Sequence, residues 1–182
     1  MTLVTDAAIF AAEAHDGMLR RGSSVPYIVH PMEAAAIAAS LTQDEAVIAA
    51  AMLHDVMEDC GVSRQTLVER FGERVAALVE AESQTQGASW LTRKREAIDK
   101  LRAGGRETRI LALADKLSNM RAIWRDYMRE GEAMFSKFHE QDRGLHAWYY
   151  HACADLIARE LADTDAYREL RALIDAVFGA KA

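Results

Sequence analysis

Two cysteines, two prolines and 10 glycines in 182 residues leave little room for several kinds of protein. Cys60 and Cys153 stand far apart and form no CxxC, so neither a disulfide framework nor a cysteine zinc knuckle is supported. A reducing, cytoplasmic setting is the economical reading. No apolar run approaches the roughly 18 to 20 residues of a membrane span. The opening Met1-Thr2-Leu3-Val4-Thr5-Asp6 also lacks the basic stretch and apolar core of a signal peptide. A basic excess is missing as well: the net charge is −6, which argues against general nucleic-acid binding. That balance leaves open a small anionic substrate held by a local basic cluster and a metal. There is no internal repeat, no low-complexity tract and no domain boundary, so one domain spanning 1–182 is expected.

Alternating strand patterns are hard to find, whereas alanine-rich segments with apolar residues three and four apart recur throughout, and 51% of residues are hydrophobic. The reading is all-α. A first helix is expected from Thr5 to Arg20, broken by Gly22-Ser23-Ser24. Pro31 opens a second, with His30 at its N-terminal boundary, ending near Leu41. Thr42 and Glu45 resemble a capping box for a third, from Asp44 to Glu58, stopped by Cys60-Gly61. Ser63 caps a short helix to Phe71, and Gly72 separates it from one over 73–82. A polar loop over 84–89 precedes helices at 90–102 and 107–128. A looser stretch between Gly131 and Gly144 leads to helices at 145–162 and 165–178.

Chemistry concentrates in the third helix, Val47-Ile48-Ala49-Ala50-Ala51-Met52-Leu53-His54-Asp55-Val56-Met57-Glu58-Asp59. On a continuous helix His54 shares a face with Glu58, and Asp55 with Asp59, continuing the apolar rows of Val47-Ala51 and Ile48-Met52. A core-facing stripe thus turns into four ionisable residues within two turns. Burying unpaired carboxylates costs several kcal/mol each, and a divalent cation is the simplest compensation. Asp115 sits one turn after Leu111 among apolar neighbours, with Asn119 on its face, and His30 is a third separated element able to converge. A His/His/Asp/Asp set suits manganese, iron, zinc or cobalt and leaves positions open for water and a phosphate oxygen. Each residue alone has a plainer reading: a His-Asp pair is usually structural, His30 a loop histidine, Asp115 a partner for Arg20 or Arg121. Arg20, Arg21, Arg93, Lys94, Arg95, Lys116, Arg121 and Arg125 offer charge for phosphates, with Arg143 a weaker candidate. The Trp148-Tyr149-Tyr150 run reads as core, with the Tyr149 hydroxyl able to reach a ligand. His15 is expected to pack near the site.

Four segments carry a resemblance. They are Ala14-His15-Asp16-Gly17 with Arg20-Arg21, Pro26-Tyr27-Ile28-Val29-His30-Pro31, Leu53-His54-Asp55-Val56-Met57-Glu58-Asp59, and Leu113-Ala114-Asp115-Lys116-Leu117-Ser118-Asn119-Met120-Arg121. In their order and spacing the chain resembles the HD-domain metal phosphohydrolases, and more narrowly the hydrolase domain of the Rel/Spo alarmone enzymes and the small alarmone hydrolases. The resemblance covers about residues 7 to 160 and implies a compact HD-domain bundle of about eight to ten helices. It implies one manganese ion, or another divalent metal, on His30, His54, Asp55 and Asp115, with Glu58 and Asp59 orienting or activating the attacking water. Arg20 would pack against the nucleobase, with Tyr27, Lys116 and Asn119 also in the nucleotide pocket. The implied reaction is release of pyrophosphate from the 3′-diphosphate of a (p)ppGpp-type nucleotide or its adenosine analogue. Met18, Arg21, the loop over 22–25, Glu82-Ser83-Gln84-Thr85, Trp90 and Ala112 depart from the family pattern at substrate-side positions, while the metal set is intact. Alternatives are a phosphohydrolase acting on a nucleoside monophosphate or on the 2′-phosphate of NADPH, and a non-catalytic nucleotide-binding regulator. No synthetase or regulatory domain is expected, and the oligomeric state is left open, a homodimer included.

Overall fold

A computed structural model describes residues 1–83 and 87–180. Side-chain caps set where most helices begin. Thr2 accepts from the Thr5 amide at the head of α1 (Leu3–Ala14), Asp44 from Ala46 at α3 (Glu45–Leu53), and Ser63 from Thr66 at α5 (Arg64–Phe71). Ser89 accepts from Thr92 at α7 (Trp90–Ala103), Asp142 from Gly144 and Leu145 at α9 (Arg143–Leu161), and Thr164 from Tyr167 at α10 (Asp165–Phe178). Each such bond satisfies an amide that the helix cannot, worth about 1 kcal/mol. The other helices are α2 (Val29–Leu41), α4 (Val56–Asp59), α6 (Glu73–Glu82) and α8 (Arg106–Glu130), with a 3-10 segment at Gly131–Lys137. Among the described residues the only strand-like pairing is an isolated bridge between Leu19 and Pro26. No described helix is long and apolar enough to cross a membrane. The polar loop expected over 84–89 falls in part on residues 84–86, outside the described ones.

Among the boundaries that differ from the sequence reading, including an α2 that begins at Val29 rather than Pro31, three have a physical reason in local contacts. First, α1 stops at Ala14, because Gly17 takes the left-handed conformation (φ 74°) and turns the chain. The Arg20 amide then donates to Val25 O and the Tyr27 amide to Met18 O, both at 2.8 Å, so Arg20 and Tyr27 come side by side. Second, the cap of α3 is Asp44 rather than Thr42. Thr42 ends α2 and accepts the Asp44 amide at 3.1 Å, while Glu45 accepts the Leu3 amide at 3.3 Å and ties α3 to α1. Third, the helix expected from Asp44 to Glu58 breaks at His54-Asp55. The Ala51 carbonyl, which an unbroken helix gives to the Asp55 amide, instead meets His54 Nδ1 at 2.8 Å.

The long α8 is central, packed by α2, α9 and α10, while α3 lies against α1, α2 and α6. Alanines at 34, 35, 38, 49, 50 and 51 are buried and let α2 and α3 approach closely, and Leu111, Leu113, Leu117 and Met120 fill the core from α8. Gly104, between α7 and α8, is needed for space rather than for its dihedrals. A Cβ there would stand 2.7 Å from Cβ of Thr108, a buried residue in the first turn of α8. Gly104→Ala is therefore expected to cost about 1–3 kcal/mol by overpacking, read as a lower urea midpoint. An unchanged midpoint would contradict this packing.

Candidate metal centre and its cleft

The break between α3 and α4 lets two sequence neighbours serve one point. Adjacent residues on a regular helix diverge by about 100°, yet His54 and Asp55 converge: His54 Nε2 lies 3.0 Å from Asp55 Oδ2. His30, in the first turn of α2, brings its Nε2 to 3.1 Å from His54 Nε2 and 3.5 Å from Asp55 Oδ2. Asp115, from the middle of α8, places Oδ1 at 3.3 Å from His30 Nε2 and 3.7 Å from His54 Nε2. Four residues from three separated segments thus present donor atoms to a common centre, and His30, His54 and Asp115 together form a cluster able to hold a metal ion.

The donor chemistry fits a cation. The Ala51 carbonyl can only accept, so His54 carries its Nδ1 proton and, when neutral, turns a lone pair at Nε2 toward the centre. That lone pair faces a second imidazole nitrogen and two carboxylate oxygens, an arrangement that is repulsive without a positive charge between them. Ligands about 2.1 Å from one ion stand about 3.0 Å apart at right angles and about 3.4 Å apart at tetrahedral angles, and the observed 3.0–3.7 Å separations match. The electrostatics agree. Burial pushes Asp55 upward, but the His54 and His30 imidazoles outweigh it and hold the carboxyl well below the usual carboxylate range. For Asp115, burial is outweighed by the Lys116 ammonium and the same imidazoles. His54 is raised well above an ordinary imidazole, because Asp55 and Asp115 overcome its burial.

Around this centre, Glu58 and Asp59 are both raised, first by burial and then by the Asp55 charge, and the Tyr27 hydroxyl partly offsets the effect at Asp59. Tyr27 donates to Asp55 Oδ2 at 2.7 Å and stacks on the buried His15, 5.0 Å between rings. Lys116 is ion-paired to Asp115, with Glu82 3.8 Å away. Asn119 donates to Asp115 Oδ1 at 2.5 Å and accepts from Arg20 Nη2 at 2.9 Å, so it joins a candidate ligand to the cleft. Arg20 in turn lies over the Tyr27 ring at 5.6 Å.

A cleft of about 750 Å³ opens in front of the centre, lined among others by Arg20, Tyr27, Lys94, Asn119, Arg125 and Tyr149. This is the size range of small-molecule sites. Behind the centre, His54, Glu58, Glu82, Lys116, Tyr149 and Cys153 line a cavity of about 30 Å³, room for about one water.

The structure brings His30, His54, Asp55, Asp115, Glu58, Asp59, Arg20, Tyr27, Lys116, Asn119 and Tyr149 to the centre or its cleft. Arg93 stands behind them, 3.9 Å from Glu58. Arg143 does not line the cleft: at the first position of α9 it donates to Val177 O at 2.7 Å and faces Glu132. Arg121, considered for phosphate, is engaged by Glu33 and Glu169. Trp148 is 38% exposed rather than core, unlike Tyr149 and Tyr150. Lys94 was not singled out from its basic run, yet it lines the cleft with its ammonium 4.8 Å over the Tyr149 ring. The available signal was its place one helical turn after Trp90, which lines the same cleft.

A helical bundle that gathers two histidines and two aspartates from three segments beside an open cleft has the features of an HD domain. The chain belongs to the HD-domain family, matching it over residues 7–142. It is 36% identical over 138 residues to the GTP pyrophosphokinase rsh of Brucella abortus, covering 72% of this chain and 18% of that protein. It is 38% identical over 118 residues to the guanosine-3′,5′-bis(diphosphate) 3′-pyrophosphohydrolase of Aquifex aeolicus, covering 63% and 17%. The chain thus spans under a fifth of the length of these relatives. Among solved structures, the Listeria monocytogenes protein lmo0812 superposes with a TM-score of 0.76 at 27% identity, over 83% of this chain and 99% of that one. A metazoan ortholog of SpoT, described as hydrolysing ppGpp, superposes with a TM-score of 0.81 at 22% identity, over 99% and 98%.

Proposed function

We propose that this chain is a manganese-dependent 3′-pyrophosphohydrolase of guanosine 3′,5′-bis(diphosphate)-type nucleotides, with residues 1–182 forming one hydrolase domain. The observation that carries the reading is the convergence of His30, His54, Asp55 and Asp115 beside Glu58, Asp59 and a nucleotide-sized cleft. The relative from Aquifex aeolicus, named for this activity, adds support.

A divalent cation on His30, His54, Asp55 and Asp115 would lower the pKa of a water towards about 7 and polarise a phosphate oxygen. The remaining work falls to the chain. Glu58 or Asp59 takes a proton from the attacking water and holds its oxygen in line with the phosphorus bonded to the ribose O3′. A new phosphorus–oxygen bond forms, the bond to O3′ breaks, O3′ gains a proton, and pyrophosphate leaves a nucleoside 5′-diphosphate. Burial and the Asp55 charge raise the pKa of the Glu58 and Asp59 carboxyl groups, which makes both stronger proton acceptors than exposed carboxylates. Arg20, stacked on Tyr27 and fixed by Asn119, offers a planar guanidinium to the base. Lys94 and Lys116 supply positive charge for phosphates beside Tyr149, and Arg93 steadies Glu58 from behind.

The test is a substrate panel with manganese: guanosine and adenosine 3′-diphosphate nucleotides, a nucleoside monophosphate and NADPH. Pyrophosphate from one or both 3′-diphosphates, and none of the others consumed, is the expected result. Inorganic phosphate released from the monophosphate or NADPH, with the 3′-diphosphates untouched, would overturn it.

A further inference from the structure

His54 is held in its tautomer by a backbone carbonyl, whereas His30 is held by a chain of side chains from three helices. Its Nδ1 lies 2.8 Å from Ser118 Oγ, and that hydroxyl donates its own proton to Glu33 Oε2 at 2.7 Å. With the hydroxyl proton spent on the carboxylate, Ser118 has only lone pairs to offer His30, so Nδ1 must carry the hydrogen and Nε2 is left as the lone pair facing the centre. Glu33 is itself anchored. Arg121 donates to Glu33 Oε1 at 3.0 Å and grips Glu169 of α10 with two bonds of 2.6 Å. His30 and Ser118 are 3% and 1% exposed, so water does not compete for these bonds.

We infer that Glu33 and Ser118 are positioning residues for the metal: they fix His30 as an Nε2 donor and set its ring direction, with Arg121 of α8 and Glu169 of α10 bracing the chain. The inference rests on the reading of His30 as a metal ligand. Outer partners of this kind raise ligand basicity, and their loss typically weakens metal affinity about 10–100-fold. Because Ser118 lies on α8, three residues beyond Asp115, one helix supplies both a ligand and the orienting group of another.

The test uses the whole chain and two readouts independent of turnover. In metal-free protein with ¹⁵N-labelled histidine, the His30 imidazole is expected to be Nδ1-protonated in the wild type and in Ser118→Thr, and to populate the other tautomer in Ser118→Ala. Manganese titrated against free Mn²⁺ by electron paramagnetic resonance should bind about 10–100-fold more weakly to Ser118→Ala and to Glu33→Ala than to wild type, and nearly normally to Ser118→Thr. Glu33 is only half-buried, so its variant decides the matter if Ser118→Ala does not fold. Unchanged tautomer and unchanged affinity in both alanine variants would overturn the relay. A wild type that takes up no manganese would refute the ligand assignment instead, and the imidazole spectrum would still decide the relay.

Discussion

His54→Ala is expected to leave the purified protein without bound manganese and to reduce nucleotide hydrolysis to the level of buffer. Removing this imidazole takes away the nitrogen that stands 3.1 Å from His30 Nε2 and 3.0 Å from Asp55 Oδ2, at the middle of the cluster. It is a cleaner probe than Asp115→Ala. Asp115 also pairs with the Lys116 ammonium, and Lys116 is only 8% exposed. Stripping one partner from a buried ion pair costs about 3–5 kcal/mol, so Asp115→Ala would mix unfolding with metal loss. In His54→Ala the two carboxylates keep Lys116, Asn119 and Tyr27 as partners. The check is elemental analysis after manganese loading and desalting, beside circular dichroism. A normal metal equivalent in a folded variant would show the ligand set to be wrong.

Glu58→Gln and Asp59→Asn are expected to behave in the opposite way: metal retained, turnover lost. If either carboxylate takes the proton of the attacking water, its amide should lower kcat by about 10²–10⁴-fold, with KM changed far less. A stability effect of known sign accompanies Glu58→Gln. Burial and the Asp55 and Asp59 charges raise the Glu58 pKa in the folded chain above its unfolded value. The folded state therefore binds that proton more tightly, ionised Glu58 opposes folding above the folded-state pKa, and the opposition fades as pH falls through it. Metal-free Glu58→Gln should accordingly melt above the wild type at neutral pH, with the difference shrinking in weak acid. A variant that is both inactive and less stable at neutral pH would mean Glu58 is structural.

The bundle could be read from the sequence wherever the cause of an element lies within a few residues of it. Ser63 caps the helix it was expected to cap, the last helix runs over Asp165–Phe178 as its sequence suggested, and the ordered His and Asp segments pointed to one centre. The HD-domain match and the helical architecture bear out that family reading. What could not be read depends on contacts made in space. No glycine or proline marks the break at His54-Asp55; its cause is an imidazole taking the Ala51 carbonyl, so face arithmetic on a continuous helix placed Glu58 and Asp59 on rows that the folded chain does not keep. Gly17, not Gly22, ended α1, because either glycine could turn the chain and tertiary pairing chose. Ser118 and Glu33 lie 85 residues apart, and nothing local distinguishes that serine from any other on a helix. Arginines were the hardest to place. Arg20, marked by its place beside the first motif, faces the cleft, whereas Arg143, which no motif marks, binds the Val177 carbonyl.

The most direct test follows guanosine 3′,5′-bis(diphosphate) by ³¹P NMR in ¹⁸O-enriched water, with and without manganese. The expected result is guanosine 5′-diphosphate and pyrophosphate in equal amounts, only when the metal is present, with the heavy oxygen in the pyrophosphate. Inorganic phosphate as the product, label in the nucleotide, or equal turnover in metal-free chelated protein would contradict it.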